Sequence, residues 1–424
     1  MNQDYQNIFN ILKIYYQEKL FLKNILDIYI KENNIENSGT ITDYIYGIIR
    51  NDIYLTHLIK HFVKKLKNKD LLYMKILFYG ILFRKNSKKE IFINDFVRFI
   101  KKKYGIKKSG FFNGVARNLL RDQEFINSLK NNKQIYYSVP ENLYEYIENN
   151  IKNQELKNKI YDKMTEVPHF YFRVNKLSDG ENLLKKIEKN HIWGNIYRFN
   201  EELKLSDLKT ELKNNKITIQ DISSQIIAHI LNPQKDETIA DFCSAPGGKS
   251  ILLSELTENK AEIFSVELKE NRFRNLKENV KNYKNITPLL SDAAKPVLFN
   301  NKQLIFDKIL VDAPCSALGT ISKSPDKKYR FSEINLTDYT RIQVDILNNA
   351  LKHLKPNGIL VYSLCTFTTE ECIDSVNIFM EQNKNKVKLI DFETPDGKFK
   401  GNKLYTGHYY NGDLFFITKF QRIN

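Results

Sequence analysis

A chain of 424 residues, 42% of them hydrophobic, can bury two or three separate cores, and a net charge of +16 with a pI near 9.3 favours a polyanionic partner, a nucleic acid or an acidic membrane surface, over an acidic one. A generally lysine-rich composition is the plain alternative for the charge. No apolar run is long enough to span a bilayer, and the polar opening MNQDYQNIFN lacks the apolar region of a signal peptide. Four cysteines without a CxxC pair exclude a disulfide framework and a structural zinc site, and point to a reducing cytoplasm.

Residues 1–135 are expected to form a helical domain. Apolar residues recur every three or four positions in NIFNILKIYY, FLKNILDIYI, YLTHLIKHFVKKL and LLYMKILFYGILF, and no proline precedes Pro140. The polar run NSLKNNKQ (127–134) marks the boundary. Residues 136–216 form a small α/β module: helices in SVPENLYEYIENNI, a strand in PHFYFRVN, a helix in DGENLLKKIEKN and a strand opening KITIQD. From 217 to 424 strand, turn and helix alternate. The strands ETIADFC, AEIFSVEL, NITPLLS, FDKILVDAP and GILVYSLC predict a doubly wound parallel sheet of Rossmann-like type. The tail NGDLFFITKF is expected to add an antiparallel edge strand.

Three of the four cysteines follow predicted strands: Cys243, Cys315 and Cys365. In open α/β sheets ligands bind at that edge. Buried packing cysteines are the plain alternative, and for Cys372, on the following helix, the better one. The stretch DFCSAPGGKS joins a strand to a helix through a glycine turn, so Cys243, Ser244, Ala245, Pro246, Gly247, Gly248 and Lys249 form a cradle whose N–H groups can meet an anion or carboxylate. It matches neither GxGxxG nor GxxxxGK[ST], which disfavours a dinucleotide or a P-loop. The next strand ends in VELKENR, with Glu267 placed for two ribose hydroxyls and Arg272 beside it, and the third in LSDAAKP, with Asp292 placed for an adenine amine. Either acid alone is as readily a solvated strand end. Together they suggest an adenosine cofactor without a polyphosphate, and S-adenosylmethionine fits.

DFCSAPGGKS, VDAPCSALGT and VYSLCTFTTEE, with RVN at Arg173–Asn175 and QDISSQ at Gln220–Gln225, resemble in order and spacing the motifs of the Sun family of RNA 5-methylcytosine methyltransferases, over residues 140–424. YIYGIIRN (44–51) and GFFNGVARNLL (110–120) resemble the helical RNA-binding domain of NusB type. The combination resembles the bacterial enzymes that methylate carbon 5 of a cytosine in 16S ribosomal RNA. It implies a class I methyltransferase domain preceded by an all-α NusB-like domain, with ribosomal RNA of the small subunit as partner, no metal and no membrane, and a monomer in the cytoplasm.

The resemblance also implies roles. Carbon 5 of cytosine is a poor nucleophile until a thiolate adds to carbon 6 and makes the ring enamine-like. The cysteine after the YS strand, Cys365, would attack, and the cysteine after DAP, Cys315, would assist expulsion of the adduct. Asp312, at a strand tip, can contact N3 or the exocyclic amine of cytosine as well as the cofactor. Lys249 can reach the same pocket, where a cation and a helix N-terminus would lower a thiol pKa. Two departures stand out: Leu364 occupies the family's threonine position, and SKSPDKKYR replaces the Arg- and His-rich segment after LGT, which bears on RNA contact there. Glu278-Asn279-Val280 matches the ENV triplet of DNA cytosine methyltransferases, but precedes APC in a helical stretch and is expected to be a coincidental helix face. IKKKYGIKKSGFF (100–112) mixes lysines with aromatics, as a phosphate-tracking surface or a solvated face. Trp193 and His408 are expected to pack. The competing functions are the same chemistry on transfer RNA, and an RNA-binding factor without catalysis.

Overall fold

The computed structural model describes residues 2–423 apart from 19, 37, 85–87, 176–182, 184, 186, 201, 215, 396, 400, 402 and 406–411. His408 and most of the helix expected over DGENLLKKIEKN lie outside the described residues. The chain divides into two compact units, Met1–Val167 with Ile321–Glu333, and Pro168–Thr320 with Ile334–Asn424.

In the first unit, helices run over Asn2–Gln17, Leu22–Glu32, Gly39–Arg50, Asp52–Phe62, Asn68–Leu82, Lys89–Tyr104 and Ile106–Arg121. Their recurring apolar positions build one core, including Ile8, Leu12, Ile45, Ile48, Leu58, Phe96 and Phe112. Asn68–Leu82 is apolar on nearly every face and is buried on nearly every face, as the centre of a bundle must be. The segment Ile321–Glu333 belongs to this unit rather than to the sheet that precedes it in sequence. Asp326 accepts the Leu22 amide at 3.0 Å, Arg50 donates to the Ser322 carbonyl at 2.8 Å, and the Tyr329 hydroxyl donates to the Ile49 carbonyl at 3.0 Å. Lys328 is fully buried with Nζ donating to the Arg50 carbonyl at 2.7 Å, and burial drives its pKa well below the usual lysine value. The charged stretch SKSPDKKYR is therefore largely interior. In IKKKYGIKKSGFF, Gly105 ends one helix and Lys101, Lys102 and Lys103 are exposed in its last turn.

The second unit contains two sheets of different character. The smaller is antiparallel throughout, in the order His191–Trp193, Ile196–Arg198, Tyr171–Val174, Ile217–Ile219. The larger holds β1 (Thr238–Phe242), β2 (Glu262–Glu267), β3 (Ile286–Leu290), β4 (Phe306–Asp312), β5 (Leu354–Leu364), β6 (Val387–Leu389) and β7 (Phe415–Arg422), in the order β6-β7-β5-β4-β1-β2-β3. Strands β1 to β5 are mutually parallel, joined by α1 (Gly248–Leu256) after β1, α2 (Glu270–Val280) after β2 and α3 (Leu336–His353) before β5, while α4 (Ser375–Gln382) precedes β6. The continuous apolar runs of β1, β2 and β4 are what burial on both faces requires, while β3, at the end of the order, is only half-buried. The tail strand β7 is antiparallel to β5, as expected, but it is not the edge: β6 pairs with its other side, and Lys403–Tyr405 pairs with it as well. Strand order reverses between β1 and β4, which makes their carboxyl ends the switch point where ligands bind.

Candidate active site

The turn after β1 is fixed by its neighbours. Cys243 adopts φ +63°, the Ser244 amide and hydroxyl both donate to the Val266 carbonyl, at 3.0 and 3.2 Å, and Gly247 N–H donates to Ser244 O at 2.8 Å. Gly247, at φ +103°, favours glycine: any other residue would be strained in this backbone conformation, and its Cβ would stand 2.9 Å from Leu276 Cδ1 and 3.1 Å from Val280 Cγ1 on α2. The same helix holds the turn from outside. Arg272 donates to Ala245 O at 2.7 Å and Asn279 donates to Pro246 O at 2.9 Å. The ENV triplet thus lies on α2, with Glu278 exposed, Val280 buried and Asn279 bracing the glycine turn.

Two acids sit at the neighbouring tips. Glu267 is 3% exposed; Oε1 accepts the Lys269 amide at 3.0 Å, but among the described residues Oε2 has no hydrogen-bond donor, and Arg272 lies 3.6 Å from it. A buried acceptor left unmatched by the protein suits a ribose hydroxyl. Asp292, past β3, accepts the Ala294 amide at 3.0 Å, and with Leu268 and Ala294 it lines a cavity of about 920 Å³ that runs along α3. The residues present therefore fit an adenosine cofactor: an open acceptor for the sugar, a carboxylate at a cavity mouth for the base, and backbone N–H groups at the start of α1.

On the other side of the switch point, Asp312 ends β4. Its Oδ2 lies 2.6 Å from Lys249 Nζ, and its Oδ1 accepts from the Ser363 hydroxyl at 3.1 Å, because Asp312 and Ser363 are paired in register. Burial opposes the charge on Lys249, but Asp312 outweighs it, with Asp241 and Cys365 adding to the effect, and the lysine pKa is raised. Cys315 Sγ and Cys365 Sγ stand 3.3 Å apart, both as free thiols. The hydrogen bond to Cys365, then burial, push the Cys315 pKa well above that of a free thiol. Either sulfur can be the donor in that contact. Cys243 shares the strand-end edge but takes a different part: it shapes the glycine turn, and burial raises its pKa. Cys372 is a packing residue in the core, as expected. Leu364 turns into that same core, so the family's threonine position carries a fully buried apolar side chain here.

Three features went unnoticed in the sequence. Arg173, fully buried, donates from Nε to Glu255 Oε2 at 2.8 Å and from Nη1 to Gln220 Oε1, tying the small sheet to the last turn of α1. Asp241, on β1 beneath the glycine turn, has its pKa raised to about 7 by burial, against the Ser250 hydroxyl that donates to it at 2.5 Å. Glu371 is buried between the two cysteine loops. RVN, QDISSQ and VYSLCTFTTEE already contained Arg173, Gln220 and Glu371, but only a buried charge, invisible in sequence, marks them out. Among the described residues no group of three metal-ligating side chains is found, and no helix is long and apolar enough to cross a membrane.

The family described as 16S rRNA methyltransferase RsmB/F matches residues 228–421, and the NusB family matches residues 6–121. The chain is 28% identical to the probable ribosomal RNA small subunit methyltransferase B of Bacillus subtilis (strain 168), over 96% of each chain. It is 30% identical to the ribosomal RNA small subunit methyltransferase B of Serratia proteamaculans (strain 568), over 73% of this chain and 72% of that one. Among solved structures, PH0851 covers 99% of this chain and 98% of its own, with a TM-score of 0.71 at 21% identity. NSun6 from Pyrococcus horikoshii, solved with SFG, covers 67% of this chain and 98% of its own, with a TM-score of 0.55 at 24% identity. At such identities the two structures speak for the fold.

Proposed function

Because the chain belongs to the RsmB/F family of small-subunit ribosomal RNA methyltransferases, we propose that it transfers a methyl group from S-adenosylmethionine to carbon 5 of a cytosine in 16S ribosomal RNA through a covalent cysteine adduct. The observation that carries this reading is the Cys315–Cys365 thiol pair beside the Lys249–Asp312 ion pair, at the same sheet edge as the glycine turn. Cytosine C5 methylation needs one sulfur to add to carbon 6 and leave again, and a second group to move protons.

Cys243–Lys249, Glu267, Arg272, Asp292 and Asp312 would hold the cofactor, which when bound supplies an electrophilic methyl group. Cys365, its thiol proton passing to Asp312, forms the bond to carbon 6, and the electron pair of the C5–C6 double bond becomes available at carbon 5. Asp312 accepts a hydrogen bond from the exocyclic amine or, when protonated, donates to N3, with Lys249 beside it balancing the charge. After methylation carbon 5 carries one proton too many. Its loss returns an electron pair to the ring and expels the Cys365 sulfur; Cys315 gives its own proton to that departing sulfur and takes the carbon-5 proton in its place. In this reading the divisions expected from the sequence at 135 and 216 separate RNA capture by the helical domain, a connecting module, and catalysis from 217 onward, by a monomer in the cytoplasm. Bisulfite mapping of 16S RNA from a strain lacking the gene tests the whole. One cytosine should lose its methyl group, and purified protein should restore it on unmodified transcript. A full set of methylated cytosines in that strain, or methylation of transfer RNA only, would overturn the assignment.

A further inference from the structure

The 3.3 Å approach of the two sulfurs is made between loops fifty residues apart, and the thiols do not hold themselves there. One carboxylate lies between the loops. Glu371 Oε1 accepts the Ser316 amide at 2.8 Å and Gln343 Nε2 at 3.2 Å. Its Oε2 accepts the Thr368 hydroxyl at 2.7 Å, the Ser316 hydroxyl, and the Thr366 hydroxyl at 3.3 Å. Gln343, on α3 and fully buried, also donates to the Pro314 carbonyl at 2.9 Å. The residues on both sides of Cys315 and the residue after Cys365 are thus tied, directly or through Gln343, to the same side chain. A backbone bond from Gly319 N to Cys365 O at 2.9 Å closes the arrangement, and only glycine fits there, since a Cβ would stand 2.0 Å from Leu414 O.

Glu371 is fully buried, and no ion pair to it is found among the described residues. Burying an unpaired carboxylate is costly unless several donors meet it, and an apolar side chain would fill the space at less expense. Five donors meet this one, four of them from the two cysteine loops. The backbone bends to bring it there: Glu370–Asp374 forms a single π-helical turn before α4, an irregularity frequent at functional sites.

We propose that Glu371 is the positioning residue of this site: its carboxylate clamps the Cys315 and Cys365 loops together and so sets the separation of the two thiols. The inference rests on the reading of those thiols as the catalytic pair, but its geometry is independent of the reaction. The charge has a second consequence. Behind the Cys365 hydrogen bond and burial, it helps to keep Cys315 protonated, as a proton carrier must be.

The test separates the clamp from the chemistry. Phenylarsine oxide holds two thiols on one arsenic atom only when the sulfurs are close neighbours. The full-length wild-type protein should capture it against excess monothiol, and Cys315→Ala or Cys365→Ala should abolish capture. Glu371→Ala should weaken capture at least about tenfold. Glu371→Gln, which can still accept from Ser316 but meets the hydroxyls with an amide, should fall between. On unmodified 16S transcript kcat should drop about a hundredfold in Glu371→Ala, as expected for displaced reacting groups, while the KM for S-adenosylmethionine stays unchanged. If the Glu371 variants fail to fold, the double variant Ser316→Ala/Thr368→Val removes donors from both loops with the carboxylate in place and should also weaken capture. Wild-type capture by a folded Glu371→Ala protein, or by that double variant, overturns the proposal. Normal capture behaviour in a protein that methylates no cytosine leaves the clamp standing and overturns the reading of the preceding subsection instead.

Discussion

The tips of β1 to β3 and the tips of β4 and β5 share one edge of one sheet, yet they are completed in opposite ways. On the β1–β3 side a buried side-chain acceptor, Glu267 Oε2, has no donor among the described residues, near a cavity at Asp292. On the β4–β5 side the polar groups answer one another: Lys249 with Asp312, Ser363 with Asp312, and the cysteine loops with Glu371. In the proposed reading the first half is completed by a ligand and the second is organised before one arrives. That division suits a reaction in which the methyl donor must come and go while the attacking sulfur is held ready, so that binding need not also assemble the nucleophile.

The comparison breaks most visibly at the thiols. Cys365→Ala should abolish methylation of 16S transcript, by a factor of about a thousand or more, and leave no covalent RNA adduct. Cys315→Ala should still attack and methylate but release slowly, accumulating an RNA-linked band that survives denaturing gels and shrinks with ribonuclease. The reverse pattern would move the nucleophile to Cys315, and full activity in both variants would make the pair a packing contact. Cofactor affinity, measured by calorimetry, should stay at the wild-type value in both.

A second break spares the thiols and strikes the cofactor half. Arg173→Met leaves Glu255 buried without its cation, which should cost about 3–5 kcal/mol of stability in denaturant titration. It also loosens the last turn of α1, so S-adenosylmethionine affinity should fall while phenylarsine oxide capture by the thiol pair stays. Loss of both together would mean that the two halves are not independent. Within the cofactor half, Glu267→Ala should weaken S-adenosylmethionine binding by about 2 kcal/mol, since a buried hydrogen bond goes, and Asp292→Ala by about 1 kcal/mol, since that carboxylate is partly exposed and already caps its own turn. Equal and negligible effects in calorimetry would remove both acids from the site.

Much of this was readable in the sequence, for a physical reason. Strands buried on both faces read as unbroken apolar runs, so β1, β2, β4 and β5 could be placed, and Cys243, Cys315 and Cys365 with them. What could not be read depends on contacts between distant segments. Glu371 draws its donors from positions 316, 343, 366 and 368, and no spacing along the chain reveals that they converge. Lys328 carries a charge that belongs on a surface, yet it is buried among helices that begin some three hundred residues earlier. The tail strand read as an edge because its true neighbour, Val387–Leu389, is three residues long and mostly exposed. The hairpin of His191–Trp193 and Ile196–Arg198 escaped for the same reason: two short strands give too few alternations to show a period of two.

The smallest effect lies where the halves meet. Asp241 on β1 sits under the glycine turn and feels Lys249 and Asp312 from the thiol side. Burial raises its pKa from the ordinary aspartate value to about 7; the Ser250 hydroxyl and Lys249 pull it down, and Asp312 pushes it up. Between the unfolded pKa, about 4, and the folded value the native state keeps a proton that the unfolded chain has lost. Its contribution to stability is complete below pH 4, declines as pH rises through that window, and is gone above 7. Asp241→Asn keeps the shape and removes the proton equilibrium. Between pH 6 and 8, wild-type stability should fall relative to the Asn variant by roughly 1 kcal/mol, read from denaturant midpoints in parallel titrations. If the two curves run parallel, Asp241 is already ionised at pH 6, and Lys249 then balances two carboxylates, Asp241 and Asp312. In that case the ion pair assigned to the thiol half would be shared with the floor of the cofactor half, and the boundary between them would run through β1 rather than between β1 and β4.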